Sequence, residues 1–411
     1  MREGDTVSTV LRDTEGARAS TKSISLSHQF FVASSARHPV ELPPRLLLPV
    51  VTGVLLHLSL IVGYVAAFHA DLSALVCAAK EAVGRPPYEQ IGTGFDRNGY
   101  DGQFYYLLAR SPWRSHALEL DVPAVRHARI LYPALCWTLS GGDARLLLWA
   151  MPSVNLLAIA ALCGLGAWTA RSAGMSPWWG TLLPFAVNAG MPLLRNLTDV
   201  WSTLTVAALL VVWLRRGPWW SAMLCAAASL LAREQNIAVV LLVLAFAVWQ
   251  RDKRWTLGLV AGVSIWSAWL GVLRGFYGTW PLLPSDGHIG LPLSGLYYRC
   301  THLASEPSSL ALFHIVCLTT LVFQIGLASR LWWTPGDRAI RLTALAGAAL
   351  ALLGGIRLFG DSWSYPRVFS WLPLGVWFAC VQLRWRWPLV VLSAPVLLPF
   401  AVLAQVWSTR F

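Results

Sequence analysis

The most unusual stretch of the chain is Phe95-Asp96-Arg97-Asn98-Gly99-Tyr100-Asp101-Gly102-Gln103-Phe104-Tyr105-Tyr106. Asn98-Gly99 and Asp101-Gly102 are turn dipeptides, and they predict one short loop that carries both carboxylates. A carboxylate within hydrogen-bond reach of a hydroxyl is the simplest general base, which makes Asp101 and Asp96 the catalytic candidates. From Gln103 the pattern reads as a helix start, with Asp101 near the N-cap, where an anion is favoured. Downstream, Arg126 and Arg129 share a face if the segment is helical. Leu131-Tyr132-Pro133 then marks a point where the chain must leave helical geometry.

Further charges sit beside or inside apolar runs: Arg195 with Asp199, Arg233 with Glu234, and Arg357 with Asp361 and Arg367. A charge at the centre of a bilayer costs about 2.5–3.5 kcal/mol on insertion scales. Each couple is therefore expected either to pair locally or to face a polar cavity. Arginine grips phosphate through a bidentate fork, and several arginines converging with a few acids suit a lipid phosphate with something attached. His127, His288 and the Asp286-Gly287-His288 segment are lesser candidates. Tyr105, Tyr106 and Tyr365 can stack on a sugar or anchor at the interface. Asn196-Leu197-Thr198 is a formal glycosylation sequon whose place at a helix end makes it a coincidence.

The elements that must position these residues follow from composition. Of 411 residues 56% are hydrophobic and 13% charged. A soluble domain carries about 25% charged residues, so a soluble enzyme, a disordered chain and a disulfide-knit module are excluded. The expected fold is an all-α polytopic transmembrane bundle of about 11 spans. They fall near 46–68, 146–170, 178–194, 200–214, 217–232, 236–250, 255–276, 308–328, 341–359, 366–383 and 388–407. Residues 130–142 are apolar but too short to span. Residues 1–45 read as a disordered cytoplasmic tail or an overlong start, and residues 46–411 as the transmembrane domain. The 23 Trp favour membrane interfaces. The net charge of +12 reflects topology-setting Arg and Lys, and no nucleic-acid partner is implied.

With the N-terminus in the cytoplasm, the inner connections hold Arg171, Arg215, Arg216, Arg251, Lys253, Arg254, Arg330, Arg338, Arg341, Arg384 and Arg386, against the acids Asp252 and Asp337. That sorting obeys the positive-inside rule. It leaves a long first outer loop, 69–128, and a second over 277–307. The start of the first loop places Leu72, Leu75, Val76, Ala79 and Val83 on one helical face, which predicts an interfacial helix. The seven cysteines read as buried hydrophobes; a Cys77–Cys300 bridge between outer loops is compatible with this topology.

One span, an outer Asp-Gly loop, basic residues, a Tyr-Pro and further spans with outward charges form a pattern. It resembles the C-type (GT-C) membrane glycosyltransferases that use polyprenyl-phosphate sugars. Tyr100-Asp101-Gly102-Gln103-Phe104-Tyr105 and Leu131-Tyr132-Pro133 are most similar to the phosphatidylinositol-glycan mannosyltransferase group and to bacterial membrane proteins bearing Tyr-Asp-Gly-Gln-Phe-Tyr-Tyr. The close match covers residues 95–133. Tyr100 stands where the group has Trp, and no adjacent acidic pair is present. The resemblance implies inverting transfer from a polyprenyl-phosphate sugar to a glycan, lipid or protein acceptor at the periplasmic face of a bacterial inner membrane. It implies Asp101 as base, with Asp96 as base or acceptor ligand. The substrate-binding set is then Arg126, Arg129, Tyr105, Gln103, Arg233, Glu234, Arg367 and Asp361. No nicotinamide or flavin is needed, and no residues show metal-ligand spacing; a divalent ion between Asp96, Asp101 and phosphate is the open alternative. Two other classes compete. A lipid-linked-glycan flippase would carry charges through to the inner face, and a non-enzymatic assembly protein would only pair its outer charges.

Overall fold

The computed structural model describes residues 44–95, 98–281 and 287–410. Asp96, Asp286 and the predicted tail lie outside them, apart from Pro44 and Arg45, which already open the first helix. The described chain is almost wholly helical. Its elements are α1 Pro44–Ala66, β1 Ala78–Ala79, β2 Gly94–Phe95, α2 Asp101–Arg110, α3 Pro123–Ala128, α4 Leu131–Ser140, α5 Ala144–Ser172, α6 Trp179–Ala186, α7 Gly190–Leu193, α8 Asp199–Leu214, α9 Trp219–Ala232, α10 Ile237–Trp249, α11 Lys253–Tyr277, α12 Ser294–His302, α13 Ser308–Leu331, α14 Arg338–Leu352, α15 Ile356–Gly360, α16 Tyr365–Val368, α17 Trp371–Gln382, α18 Arg386–Leu392 and α19 Leu397–Arg410. The two short strands pair in parallel, Ala78 with Gly94 and Ala79 with Phe95.

Five helical stretches are long and apolar enough to cross a membrane: Leu46–Ala66, Ala144–Ser172, Lys253–Tyr277, Leu310–Leu331 and Arg386–Trp407. They turn large side chains outward, such as Leu47, Leu55 and Val62 on α1 and Leu257, Val260 and Ile265 on α11. Apolar bands of this kind are stable against lipid and costly in water. The protein is a membrane-embedded helical bundle.

Its two ends differ chemically. At one end Arg215 stacks on Trp168, Arg338 on Trp249 and Arg330 on Trp385, and Arg216 bonds Gln250. These are the basic turns and the Trp belt. At the opposite end lie Asp199, Arg233, Glu234 and Arg367, where the short apolar helices α8, α9, α10 and α17 begin or end. Helices of 16, 14, 13 and 12 residues span about 24, 21, 20 and 18 Å at 1.5 Å per residue. The hydrocarbon core is about 30 Å thick. These helices are therefore shorter than a full crossing, and the charges gather where they begin or end.

The segment predicted to be the first outer loop does not begin with the expected interfacial helix. Residues 71–83 form a 3₁₀ turn Leu72–Leu75, strand β1 and a second 3₁₀ turn Lys80–Ala82. Asp71 caps the first turn through Ser73 and also accepts from Thr93, and Cys77 takes a left-handed conformation. Leu75, Val76 and Ala78 are buried beneath the loop rather than facing lipid. The Cys77–Cys300 bridge is absent: the buried Cys77 thiol donates to the Ala74 carbonyl, and Cys300 is exposed and free.

Candidate active site

The site begins with why Tyr100-Asp101-Gly102-Gln103 folds as it does. Gly99 takes a left-handed φ of 59°, which favours glycine. A Cβ at Gly102 would fall 2.3 Å from the Arg195 carbonyl oxygen and 2.7 Å from that of Val76, so only glycine lets α2 start there. Gln103 is buried, and its amide is spent on the loop. Its Oε1 accepts from the Ala79 N–H at 3.0 Å and its Nε2 donates to the Asn98 carbonyl at 2.8 Å. Gln103 therefore holds the loop and does not face the charges. Asp101 is the first residue of α2, and the N-cap position belongs to Tyr100.

Asp101 meets two guanidiniums. Arg126 approaches at 2.8 Å and Arg367 at 3.3 Å. Burial alone would raise the Asp101 carboxyl, but Arg126 and Arg367, with Arg129 and Arg233 beyond them, outweigh it and hold the group below the ordinary carboxylate value. Arg126 also pairs with the more exposed Asp121 and lies over the Phe104 ring.

The pairing runs crosswise between elements. Asp199 does not pair with Arg195; it accepts from Arg233 and, at 2.9 Å, from Arg367. Glu234 does not pair with Arg233; it takes both arms of Arg129, at 2.9 and 2.6 Å. Asp361 accepts from Tyr100 Oη at 3.0 Å and from the Trp363 N–H and Ser364 hydroxyl, while Arg357 is exposed. Arg126 and Arg129 do not share a helical face. Arg129 caps α3 with non-helical backbone, and each arginine serves a different acid. The break before Tyr132-Pro133 lies at Arg129, and Pro133 sits in the first turn of α4, where its missing N–H costs nothing.

Tyr105 joins the cluster through a 3.4 Å contact from Arg129. Tyr106 and Tyr365 do not. Tyr106 donates to the Ala144 carbonyl, and Tyr365 bonds His314. His127 is fully buried and bonds Tyr277 and the Pro112 carbonyl, while His288 is exposed. Asn196 is fully buried with left-handed backbone, which rules out its sequon as a glycosylation site in the folded chain. Among the described residues no three His, Cys, Asp or Glu converge on a metal position.

Arg299 escaped the sequence reading, and so did the true surroundings of Arg195, expected there to couple with Asp199. Arg299 is buried and donates to the Phe359 and Gly360 carbonyls and to Glu306, which steadies the segment leading to Asp361. Arg195 lies against three rings, Trp363 at 4.0 Å, Tyr100 at 5.2 Å and Phe95 at 5.3 Å. Its proximity to Asp199 in sequence hid this.

Two concavities lie elsewhere. One is an open basin bounded by Pro86, Glu89, Arg110, Arg114 and Glu119. Its charges are spent in the Arg110–Glu89 and Arg114–Glu119 pairs. The other is a crevice lined by Asn188, Thr320, Gln324 and Tyr365. Neither holds the clustered acids and arginines. The chain matches no family model, no curated protein and no solved structure.

Proposed function

We propose that the chain is an integral membrane glycosyltransferase of GT-C type. It moves a sugar from a polyprenyl-phosphate donor to an acceptor hydroxyl at the extracytoplasmic face of a bacterial inner membrane. The reading includes about 11 crossings, with the short and broken helices completing the bundle, and a cytoplasmic N-terminus. The observation that carries it is the Asp101 carboxylate held directly between Arg126 and Arg367.

A lipid phosphate at this cluster competes with Asp101 for the two guanidiniums. Once displaced, the carboxylate is free to accept a proton. The acceptor oxygen then bonds the anomeric carbon, its proton passes to Asp101, and the bond from that carbon to the phosphate oxygen breaks. Negative charge grows on the departing polyprenyl phosphate, where Arg126, Arg129, Arg233 and Arg367 stabilise it without moving far. The buried polar side chains deeper in the bundle near the cluster, such as Ser202 and Asn236, are uncharged. That favours chemistry at one face over passage across the membrane.

The test is a panel of polyprenyl-phosphate sugars offered to purified wild type and Asp101→Asn. Sugar transfer by wild type, abolished in the folded variant, supports the reading. Binding without turnover by either, together with movement of the lipid between leaflets, sinks it in favour of transport.

A further inference from the structure

Four of the five guanidiniums in the cluster are spent on carboxylates: Arg126 on Asp101, Arg129 on Glu234, and Arg233 and Arg367 on Asp199. The fifth is different. Among the described residues Arg195 faces no carboxylate. The ionisable groups acting on it are Cys77, Tyr64 and Tyr100, and its buried Nε has no hydrogen-bond partner.

Its surroundings fix the plane of the fork. Trp363, Tyr100 and Phe95 take its charge against their π-faces. Aromatic rings cover the faces of a guanidinium and leave the N–H donors at its edge to other partners; the Cys77 thiol takes one of them. The residue as a whole keeps partial exposure. The location is also the right one. Gly102 packs on the Arg195 carbonyl, and the Tyr100 ring against Arg195 carries the hydroxyl that takes Arg367 at 3.2 Å, beside Asp101.

We propose that Arg195 is the docking residue for a phosphoryl anion, presented either by a lipid headgroup or as free phosphate. The inference deepens the glycosyltransferase reading and rests on it for the identity of the natural ligand. The anion binding itself does not need sugar transfer.

The experiment uses the full chain in mild detergent, with native mass spectrometry and three probes: dioleoyl phosphatidic acid, inorganic phosphate and dioleoylglycerol. Wild type is expected to retain phosphatidic acid and release dioleoylglycerol. Arg195→Gln should weaken phosphatidic acid about 10-fold or more, the worth of a charge-assisted bidentate contact. Arg195→Lys should recover part of it, and Arg114→Gln in the outer basin should change nothing. Equal competition by inorganic phosphate assigns the site to the free anion, and its failure to compete assigns it to the lipid headgroup; both support the site. Unchanged binding in folded Arg195→Gln overturns it. Should that variant not fold, hydrogen exchange of wild type decides. Phosphatidic acid must protect residues 193–200 and 361–366 beyond dioleoylglycerol, and equal exchange overturns the proposal. Arg195-dependent binding without turnover of any donor overturns the transferase reading alone. Turnover with unchanged KM in Arg195→Gln overturns the docking role alone.

Discussion

Arg367 donates to Asp199 at 2.9 Å across 168 positions of sequence, and the same carboxylate takes Arg233 from the end of α9. One buried acid thus neutralises two cations from different helices. Asp199→Asn keeps the shape and removes the charge, leaving Arg233 buried without its paired anion and Arg367 with only the longer contact to Asp101. Stripping one partner from a buried pair costs about 3–5 kcal/mol. The expected outcome is a marked drop in thermal unfolding temperature in detergent, partly restored in the double variant Asp199→Asn/Arg233→Gln. Wild-type stability in the single variant would show that the pairs are not formed.

The Asp101 carboxyl lies below its ordinary value because two guanidiniums outweigh its burial. A depressed carboxylate contributes stability that is complete above the unfolded value, about 3.9, and lost only as pH falls through the folded one. No Asp101-linked stability change is therefore expected between pH 5 and 8. Activity carries the sharper signal. Arg367→Gln removes one of the two cations, so the carboxyl titrates higher, and the acid limb of the rate profile should move to higher pH. An unmoved limb would assign that titration to another group.

His127 is fully buried, and burial lowers it to about 4 even though its bond to the Pro112 carbonyl opposes the shift. Since a carbonyl only accepts, Nε2–H donates to Pro112 at 2.8 Å and Nδ1 accepts from the Tyr277 hydroxyl at 2.7 Å. That is the neutral imidazole. The unfolded chain binds a proton near 6.5 and the folded chain does not until about 4. Stability is then full above pH 6.5 and falls as pH drops between these values, by on the order of 3 kcal/mol. His127→Gln should flatten that slope in unfolding experiments at pH 4.5 and 7, and a slope equal to wild type would place the titration elsewhere.

Hydropathy made the helical bundle legible, because apolar runs declare themselves one residue at a time. The charged residues of the site were legible for the same reason: charges inside such runs stand out. Their partners were not. Arg195 and Asp199 are one turn apart and look like a couple, yet the acid turns to Arg233 and Arg367. That choice depends on which helix ends meet, and helix ends meet by packing. The 72–83 period misled in a similar way. Leu75 and Val76 are buried and Leu72, Ala79 and Val83 half-buried, but in a loop tied by Asp71 and β1 rather than on one helix. Gln103 entered the substrate-binding set through the resemblance of its segment, and its amide is spent on the loop.

The Asp-Gly step admits a direct steric test. A Cβ at Gly102 meets two backbone carbonyls, 2.3 Å from Arg195 and 2.7 Å from Val76, and backbone cannot rotate aside. Gly102→Ala must shift α2 and with it Asp101, at an overpacking cost of about 1–3 kcal/mol or more. Expression and activity should both fall. Gly271→Ala in α11 has open space around it and serves as the neutral control. Full activity in Gly102→Ala would mean that α2 does not rest on the Arg195 carbonyl.

Cys300 supplies the test of orientation. Of the seven thiols it alone is exposed; Cys225 is half-buried and the other five are buried. It lies on α12, in the second loop predicted to face outward, and Arg299 beside it is tied to the segment that leads into Asp361. Labelling Cys300 therefore reports the side on which the candidate site opens. A membrane-impermeant maleimide applied to intact cells should modify the chain once, and Cys300→Ser should remove that modification. Labelling only after the membrane is opened would reverse the topology. The basic, Trp-lined turns would then face outward against the positive-inside rule, and an extracytoplasmic acceptor would no longer be tenable.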